Sequence, residues 1–427
     1  MSAILIGSFF VLLLLGLPLA FAMGVAAIGL ILGHGVFPLS LVPQRALLGA
    51  DAFALLAIPF FILAGNLMNR GGMTDRIIGV ANAVVGRFTG GLAMGNVAAS
   101  LFFGGVSGSA VADTTAVGST LIPAMKKEGY GGPFSAAITA ASSICGPIIP
   151  PSIPLVLYAL IAGGGVSIGA LFLAGIVPGL MLGFGLMALS WIIARRRGYP
   201  VHGAVSPRVF LMRLASALPA LVMPAIILVG VVGGVFTVTE SAAIAVLYAL
   251  LVGTLVYREL TKKDLAEVLS RSALEAAAVM IIVAMASLFG WLMAVTGLPR
   301  QLSNLLLSIT DDPLLLLLVI NVLLLVIGIF LEAIAALTIF VPILVPIVLM
   351  YGIDPVHFGV IVVFNLMLGL LTPPVGICLY IAGQFAQARI EAVFREVVPF
   401  FLLGFGVLLL ITLFPGLVLF LPRLFMG

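Results

Sequence analysis

Long apolar runs separated by short polar breaks fill almost the whole chain, and none alternates with the two-residue period of a half-buried strand. Runs at 4–32, 52–68, 168–194, 212–235, 240–257, 272–296 and 396–421 read as membrane-spanning helices. Residues 69–90 differ, because Arg70, Arg76 and Arg87 punctuate a weakly apolar segment. That pattern suits a helix lying along the interface with its charges snorkelling. Two further runs, 136–161 and 358–383, contain proline clusters: Pro150, Pro151 and Pro154 in the first, Pro373 and Pro374 in the second. Both are predicted to be discontinuous. Residues 94–125 and 314–350 each read as a helical hairpin.

The strongest polar signal lies in the first hairpin, where residues 104–130 read GGVSGSAVADTTAVGSTLIPAMKKEGY. Ser107, Ser109, Asp113, Thr114, Thr115, Ser119 and Thr120 crowd among Gly104, Gly105, Gly108 and Gly118 there. A bilayer offers no water to such groups, so the run is costly unless it lines a protein-enclosed cavity. Small residues also let helices pack closely, but packing needs no carboxylate. The segment is read as the tip of a re-entrant hairpin whose hydroxyls and free carbonyls hold an ion. Asp113 has two possible uses: capping the second half-helix by accepting N–H bonds from Thr115 or Ala116, the favoured one, or lying next to the ion.

Composition fits this pattern. Of 427 residues, 63% are hydrophobic and 8% charged, whereas soluble domains carry about a quarter charged residues. The chain is therefore an all-α polytopic membrane protein, with no room for a separate soluble domain and runs too long for an outer-membrane barrel. A net charge of +4 reflects loop arginines and lysines and implies no nucleic-acid partner. Cys145 and Cys378 sit in apolar segments, the three histidines show no ligand spacing, and no metal or cofactor motif occurs. The first run is too long, and lacks the basic start, for a removable signal peptide. No GxxxxGK[ST] loop argues for ATP-driven pumping; no HExxH motif or paired catalytic His/Cys arrangement argues for a membrane-embedded enzyme.

Loop charges give sidedness. Arg195, Arg196, Arg197, Arg208 and Arg213 mark one cytoplasmic loop; Arg258, Lys262, Lys263 and Arg271 mark another. Lys126 and Lys127 place the base of the first hairpin inside, and Arg389 and Arg395 do the same for the loop before the last run. A shift of 223 residues lays Pro123 on Pro346, Gly129 on Gly352, Gly146 on Gly369 and Pro150-Pro151 on Pro373-Pro374. After a two-residue gap, Val177-Pro178 meets Val398-Pro399. By the loop charges, 136–161 runs outward and 358–383 inward, so the halves are expected to be an inverted repeat, the architecture of alternating-access secondary transporters. Glu332 aligns with Ser109 and Thr338 with Thr115, while Asp113 meets Ala336.

The segment 104–130, with GPIIPPSIPLVLYA and GLLTPPVGICLYIA further on, strongly resembles the large, DctM-like membrane subunit of tripartite ATP-independent periplasmic (TRAP) transporters, essentially end to end. The resemblance implies sodium-coupled import of a small organic acid, such as a dicarboxylate or sialic acid, across the bacterial inner membrane by an elevator mechanism. It implies a small four-helix membrane subunit and a periplasmic substrate-binding protein as partners. By this resemblance the ion and substrate region maps to Ser107, Gly108, Ser109, Asp113, Thr114 and Thr115, with Pro150, Pro151 and Ser152 opposite. Glu332, Thr338, Asn365, Thr372, Pro373, Pro374 and Gly376 come from the second half. The plainer readings are a helix kink for Pro150 and Pro373, an interhelical hydrogen bond for Asn365, and a carboxylate paired with neighbouring backbone for Glu332; Glu240 reads as interfacial. The expected divisions are 1–90 (first scaffold helices and interfacial arm), 91–195 (first transport core), 196–313 (scaffold and second arm) and 314–427 (second transport core). A stand-alone sodium or proton symporter of similar architecture is the alternative, and only the resemblance opposes it.

Overall fold

The structure is a computed structural model that describes residues 1–35, 37–163, 165–201, 206–298, 301, 310–373 and 375–427; Pro374 lies outside the described residues. Among the described residues it is helical without strands, and eight helices are long and apolar enough to cross a membrane. The run 4–32, expected as one span, is instead two helices that pack together, α1 (Ser2–Leu14) and α2 (Leu19–His34). The chain turns between them at Gly16, whose φ is +87°, and Pro18 stands at the N-cap of α2. The last run divides likewise: α18 (Ile390–Leu413) ends at Phe414, and Pro415 opens α19 (Pro415–Met426). In both places proline starts a new helix, since its missing N–H costs nothing in a first turn.

Between these ends lie α3 (Leu41–Ala50), α4 (Ala57–Arg70) and α5 (Met73–Val85), which occupies the expected interfacial segment and buries one face against α6 and α11. The first hairpin is α6 (Gly91–Ser107) and α7 (Ala110–Lys127). The first discontinuous run is α8 (Gly132–Ser143) and α9 (Ile153–Ala162), with irregular backbone between. Then come α10 (Ile168–Arg197), α11 (Pro207–Val232), α12 (Val238–Leu251) and α13 (Lys262–Val295). The second hairpin is α14 (Pro313–Phe330) and α15 (Ala333–Met350), followed by the second broken run, α16 (Pro355–Gly369) and α17 (Ile377–Ala386).

Local structure recurs at the 223-residue spacing. Gly129 and Gly352 both take positive φ, +86° and +70°. Tyr130 N–H donates to Met125 O at 3.0 Å, and Ile353 N–H to Val348 O at 3.0 Å, so both hairpins close on the same turn. Packing crosses between the halves: α7 lies against α8 and α17, and α15 against α9 and α16. Close glycine contacts hold each first arm to its broken run. A Cβ on Gly104 would overlap Gly146 Cα, and one on Gly369 would overlap the Gly328 backbone. Helices α2, α3 and α4 group around α13, with α12 packed on α4, and α13 meets the hairpin body mainly through α15.

Candidate ion and substrate site

Each hairpin tip is built by a helix ending and another beginning within two residues. Gly108 terminates α6 at φ +57°, a conformation that glycine tolerates, and stands so close to the first break that a Cβ would lie 2.9 Å from Ile153 N. Ser109 is extended and caps α7, its hydroxyl accepting from Ala112 N–H at 3.4 Å. At the second tip Glu332 holds the equivalent position: its carboxylate accepts from Ile334 N–H at 2.9 Å and Ala335 N–H at 3.4 Å. Ser152 caps α9, accepting from Leu155 N–H at 3.2 Å while its hydroxyl donates to Pro147 O. Three half-helices thus begin in one region of the molecule; α7 and α9 are capped by neutral serines, whereas the Glu332 carboxylate offsets the positive end of α15.

Both tips open into a single cavity of about 500 Å³. Its walls include Ser107, Gly108, Ser109 and Thr115 of the first hairpin, Pro147 and Ile153 of the first break, and Glu332 and Ile334 of the second hairpin. Opposite them stand Asn66 and Asn69 of α4 with Arg271, Glu275 and Val279 of α13. Asn66 Nδ2 donates to one Glu275 oxygen at 2.9 Å, and Arg271 Nε to the other at 2.9 Å. The sequence reading assigned Arg271 to a cytoplasmic loop, but it lies inside α13 and lines the cavity. No periodicity marks which face of a long apolar helix meets a tip.

Asp113 does not cap α7, as Ser109 occupies that position. It sits one turn into the helix, fully buried, and neither carboxylate oxygen has a hydrogen-bond partner. The hydroxyls of Ser100 and Ser143 face it. Behind them runs a buried polar chain: Ser100 Oγ donates to Ser142 Oγ at 3.0 Å, Ser142 Oγ to Asn96 Oδ1 at 3.0 Å, and Asn96 Nδ2 to Thr139 Oγ1 at 2.6 Å. Sequence reading passed over these residues. Their signal was the four-residue spacing of Asn96 with Ser100 and of Ser135, Thr139 and Ser143, each set on one helix face.

The other expected residues are dispersed. Thr114 and Thr115 donate to the carbonyls of Ala110 and Val111, each at 2.8 Å. Pro150 and Pro151, joined by a cis peptide bond, form the buried wall behind the first tip, with Pro150 O beside Gly105. Thr338 lines a separate cavity of about 330 Å³ against α3 and α13. Asn365 is buried and donates to Asn321 O and Oδ1 at 2.9 and 3.0 Å, the interhelical bond of the plainer reading. Thr372 donates to Leu368 O at 3.1 Å; Met367 and Leu370, rather than Thr372, Pro373 or Gly376, represent the second broken run in the large cavity.

Two helical hairpins and two broken helices meeting at one cavity, in a chain rich in spanning helices, define a multi-pass membrane transporter rather than an enzyme. Its fold is shared by the Alcanivorax borkumensis YdaH transporter (TM-score 0.63, 15% identity, 88% of this chain and 87% of that one). Neisseria gonorrhoeae MtrF is also similar (TM-score 0.55, 13% identity, 90% and 83%). The family described as "Tripartite ATP-independent periplasmic transporter, DctM component" matches residues 6–417, and the chain belongs to it. The sialic acid TRAP transporter large permease protein SiaM of Vibrio cholerae is 43% identical over 416 residues, covering 97% of each chain. The C4-dicarboxylate TRAP transporter large permease protein DctM of Rhodobacter capsulatus is 37% identical over 437 residues, covering 99% of each. The isethionate TRAP transporter permease protein DctMQ of Oleidesulfovibrio alaskensis is 42% identical, over 98% of this chain and 66% of that one. The chain is accordingly a large permease subunit, a multi-pass protein of the inner membrane.

Proposed function

We propose that this chain forms the transport path of a sodium-coupled importer of a small organic acid, beside a small four-helix membrane subunit and supplied by a periplasmic substrate-binding protein. The observation that carries the proposal is the cavity of about 500 Å³ that both hairpin tips share. The serine-capped N-terminus of α7 at the first tip suits an anionic cargo, and the named relatives move sialic acid, C4-dicarboxylate and isethionate. Sodium is a hard cation that takes oxygen ligands, and the surroundings of the unpartnered Asp113 carboxylate are hydroxyls.

In this reading the halves are an inverted repeat, supported by matched turns at Gly129 and Gly352 and by crossed packing of α7 on α17 and α15 on α9. The hairpin body would move as an elevator against the helices around α13, carrying cargo between the two sides. The test is uptake into proteoliposomes containing all three components. Uptake should require an inward sodium gradient and the binding protein. Uptake driven by a pH gradient and indifferent to sodium would overturn the coupling; uptake by this chain alone would overturn the tripartite part.

A further inference from the structure

The side of the large cavity away from the hairpins has its own chemistry. A second cavity of about 210 Å³ is lined by Asn66, Asn69, Arg70, Glu267, Val268 and Arg271. Asn66, Asn69 and Arg271 belong to both cavities, so the two adjoin along the groove between α4 and α13. Along α13 this groove leads from Glu275 back towards Lys262, where the helix begins, and Arg271 stands about 14 Å from that end. Arg70, which borders the second cavity, is held by Asp264 through bonds of 2.8 and 2.5 Å, so its charge is committed.

Arg271 is placed differently. Glu275 accepts from its Nε, and the second Glu275 oxygen is taken by Asn66. A guanidinium has five N–H donors, so one such bond leaves its Nη fork free to bind a carboxylate or sulfonate in two-pronged fashion. The side chain is 68% exposed at the boundary of the two cavities. Glu275 both fixes the stem and competes with an arriving anion, which keeps residence short.

We infer that Arg271, steadied by Glu275 and Asn66, receives the acidic group of the cargo as it leaves the hairpin tips and passes it along the α4–α13 groove to the cytoplasm. The inference rests on the proposed function, including the inward-facing sidedness of Lys262. Because α13 belongs to the helices against which the hairpins would slide, Arg271 offers the anion a partner that does not travel with the tips. Its loss should therefore slow release without weakening loading.

Two measurements test this. In the first, Asn69→Cys places a thiol in both cavities, while Cys145 and Cys378 are buried. The purified chain is labelled with anionic 2-sulfonatoethyl methanethiosulfonate and with the cationic trimethylammonium analogue. Arg271→Gln should lower the anionic-to-cationic rate ratio roughly fivefold, and Glu275→Gln should raise it; an unchanged ratio in Arg271→Gln overturns the inference. In the second, the complete system takes up N-acetylneuraminate, succinate or isethionate, whichever the wild type carries. Arg271→Gln should lower kcat about tenfold with kcat/KM unchanged, and Arg271→Lys should recover part of the loss. The double variant Arg271→Gln/Glu275→Gln checks that the effect is not an orphaned glutamate. Wild-type protein that carries none of the three removes the functional reading and this inference together. Wild-type uptake with an unaltered kcat in Arg271→Gln removes the inference alone.

Discussion

Replacing Asp113 by Asn tests the proposed sodium site most directly, since the substitution keeps shape and removes charge. In the structure the carboxylate is fully buried and both oxygens lack partners. An ionised group so placed in a membrane protein costs on the order of 3 kcal/mol unless a cation offsets it. Without sodium the Asn variant should therefore be more stable than wild type by roughly 2–3 kcal/mol. With sodium the order narrows, because a ligand at a hundred times its Kd stabilises the folded state by about 2.7 kcal/mol. Thermal unfolding in detergent, in sodium chloride against potassium chloride at constant ionic strength, reads both quantities. Wild-type Tm should climb with sodium alone; the Asn variant should start higher and respond weakly, and its half-maximal sodium for uptake should rise at least about tenfold. An Asn variant that keeps the wild-type sodium response at the same midpoint refutes the argument, and Asp113 is then only packing.

The remaining predictions concern the scaffold. Gly104→Ala drives a Cβ into Gly146 Cα and should cost at least about 3 kcal/mol or prevent folding, whereas Gly406→Ala, with open space around it inside α18, should gain about 0.5–1 kcal/mol by thermal unfolding. Ser109→Ala should cost about 1 kcal/mol through the lost cap, and Ser109→Asp should restore it. Arg197 and Glu396 pair at 2.8 Å on partly exposed surface, so a double-mutant cycle should return no more than about 1 kcal/mol. Cysteines near Arg196 and Lys262 should label only from the cytoplasm and one near Gly352 only from the periplasm; labelling of positions 262 and 352 from the same side sinks the inverted repeat.

What the chain revealed in advance were the features that leave local marks. Glycine and hydroxyl clusters announced the tip at Gly108–Ser109, and paired prolines announced the breaks between α8 and α9 and between α16 and α17. Single prolines were easier to miss: Pro18 and Pro415 each begin a helix within a run that looked continuous. Asp113-Thr-Thr had the composition of a cap, but Gly108 ends its helix in the left-handed region and the next residue, Ser109, becomes the first free acceptor. The far wall of the cavity was not legible. Arg271 faces a hairpin tip only because α13 packs on α15 and α4, and such pairing between distant helices is set by tertiary fit rather than by any pattern along one of them.

The two tips solve one backbone problem with unlike charge, and this bears on coupling. Ser109 and Glu332 occupy the same capping position 223 residues apart, each taking the orphan N–H groups of the helix that follows. A serine cap leaves the partial positive charge of the α7 N-terminus, about half an elementary charge, open to the cavity. A glutamate cap more than offsets the same charge at α15. Among the residues lining the cavity, one guanidinium, Arg271, therefore faces two carboxylates, Glu275 and Glu332. With Arg271 and the helix N-termini set against the two carboxylates, these charges roughly cancel, so an acidic cargo entering alone leaves the cavity net negative, and a partly dry cavity screens that charge poorly. A sodium ion that arrives with the cargo removes the deficit. The asymmetry of the caps thus favours joint occupancy by cation and anion over occupancy by the anion alone, which is the electrostatic condition that symport requires.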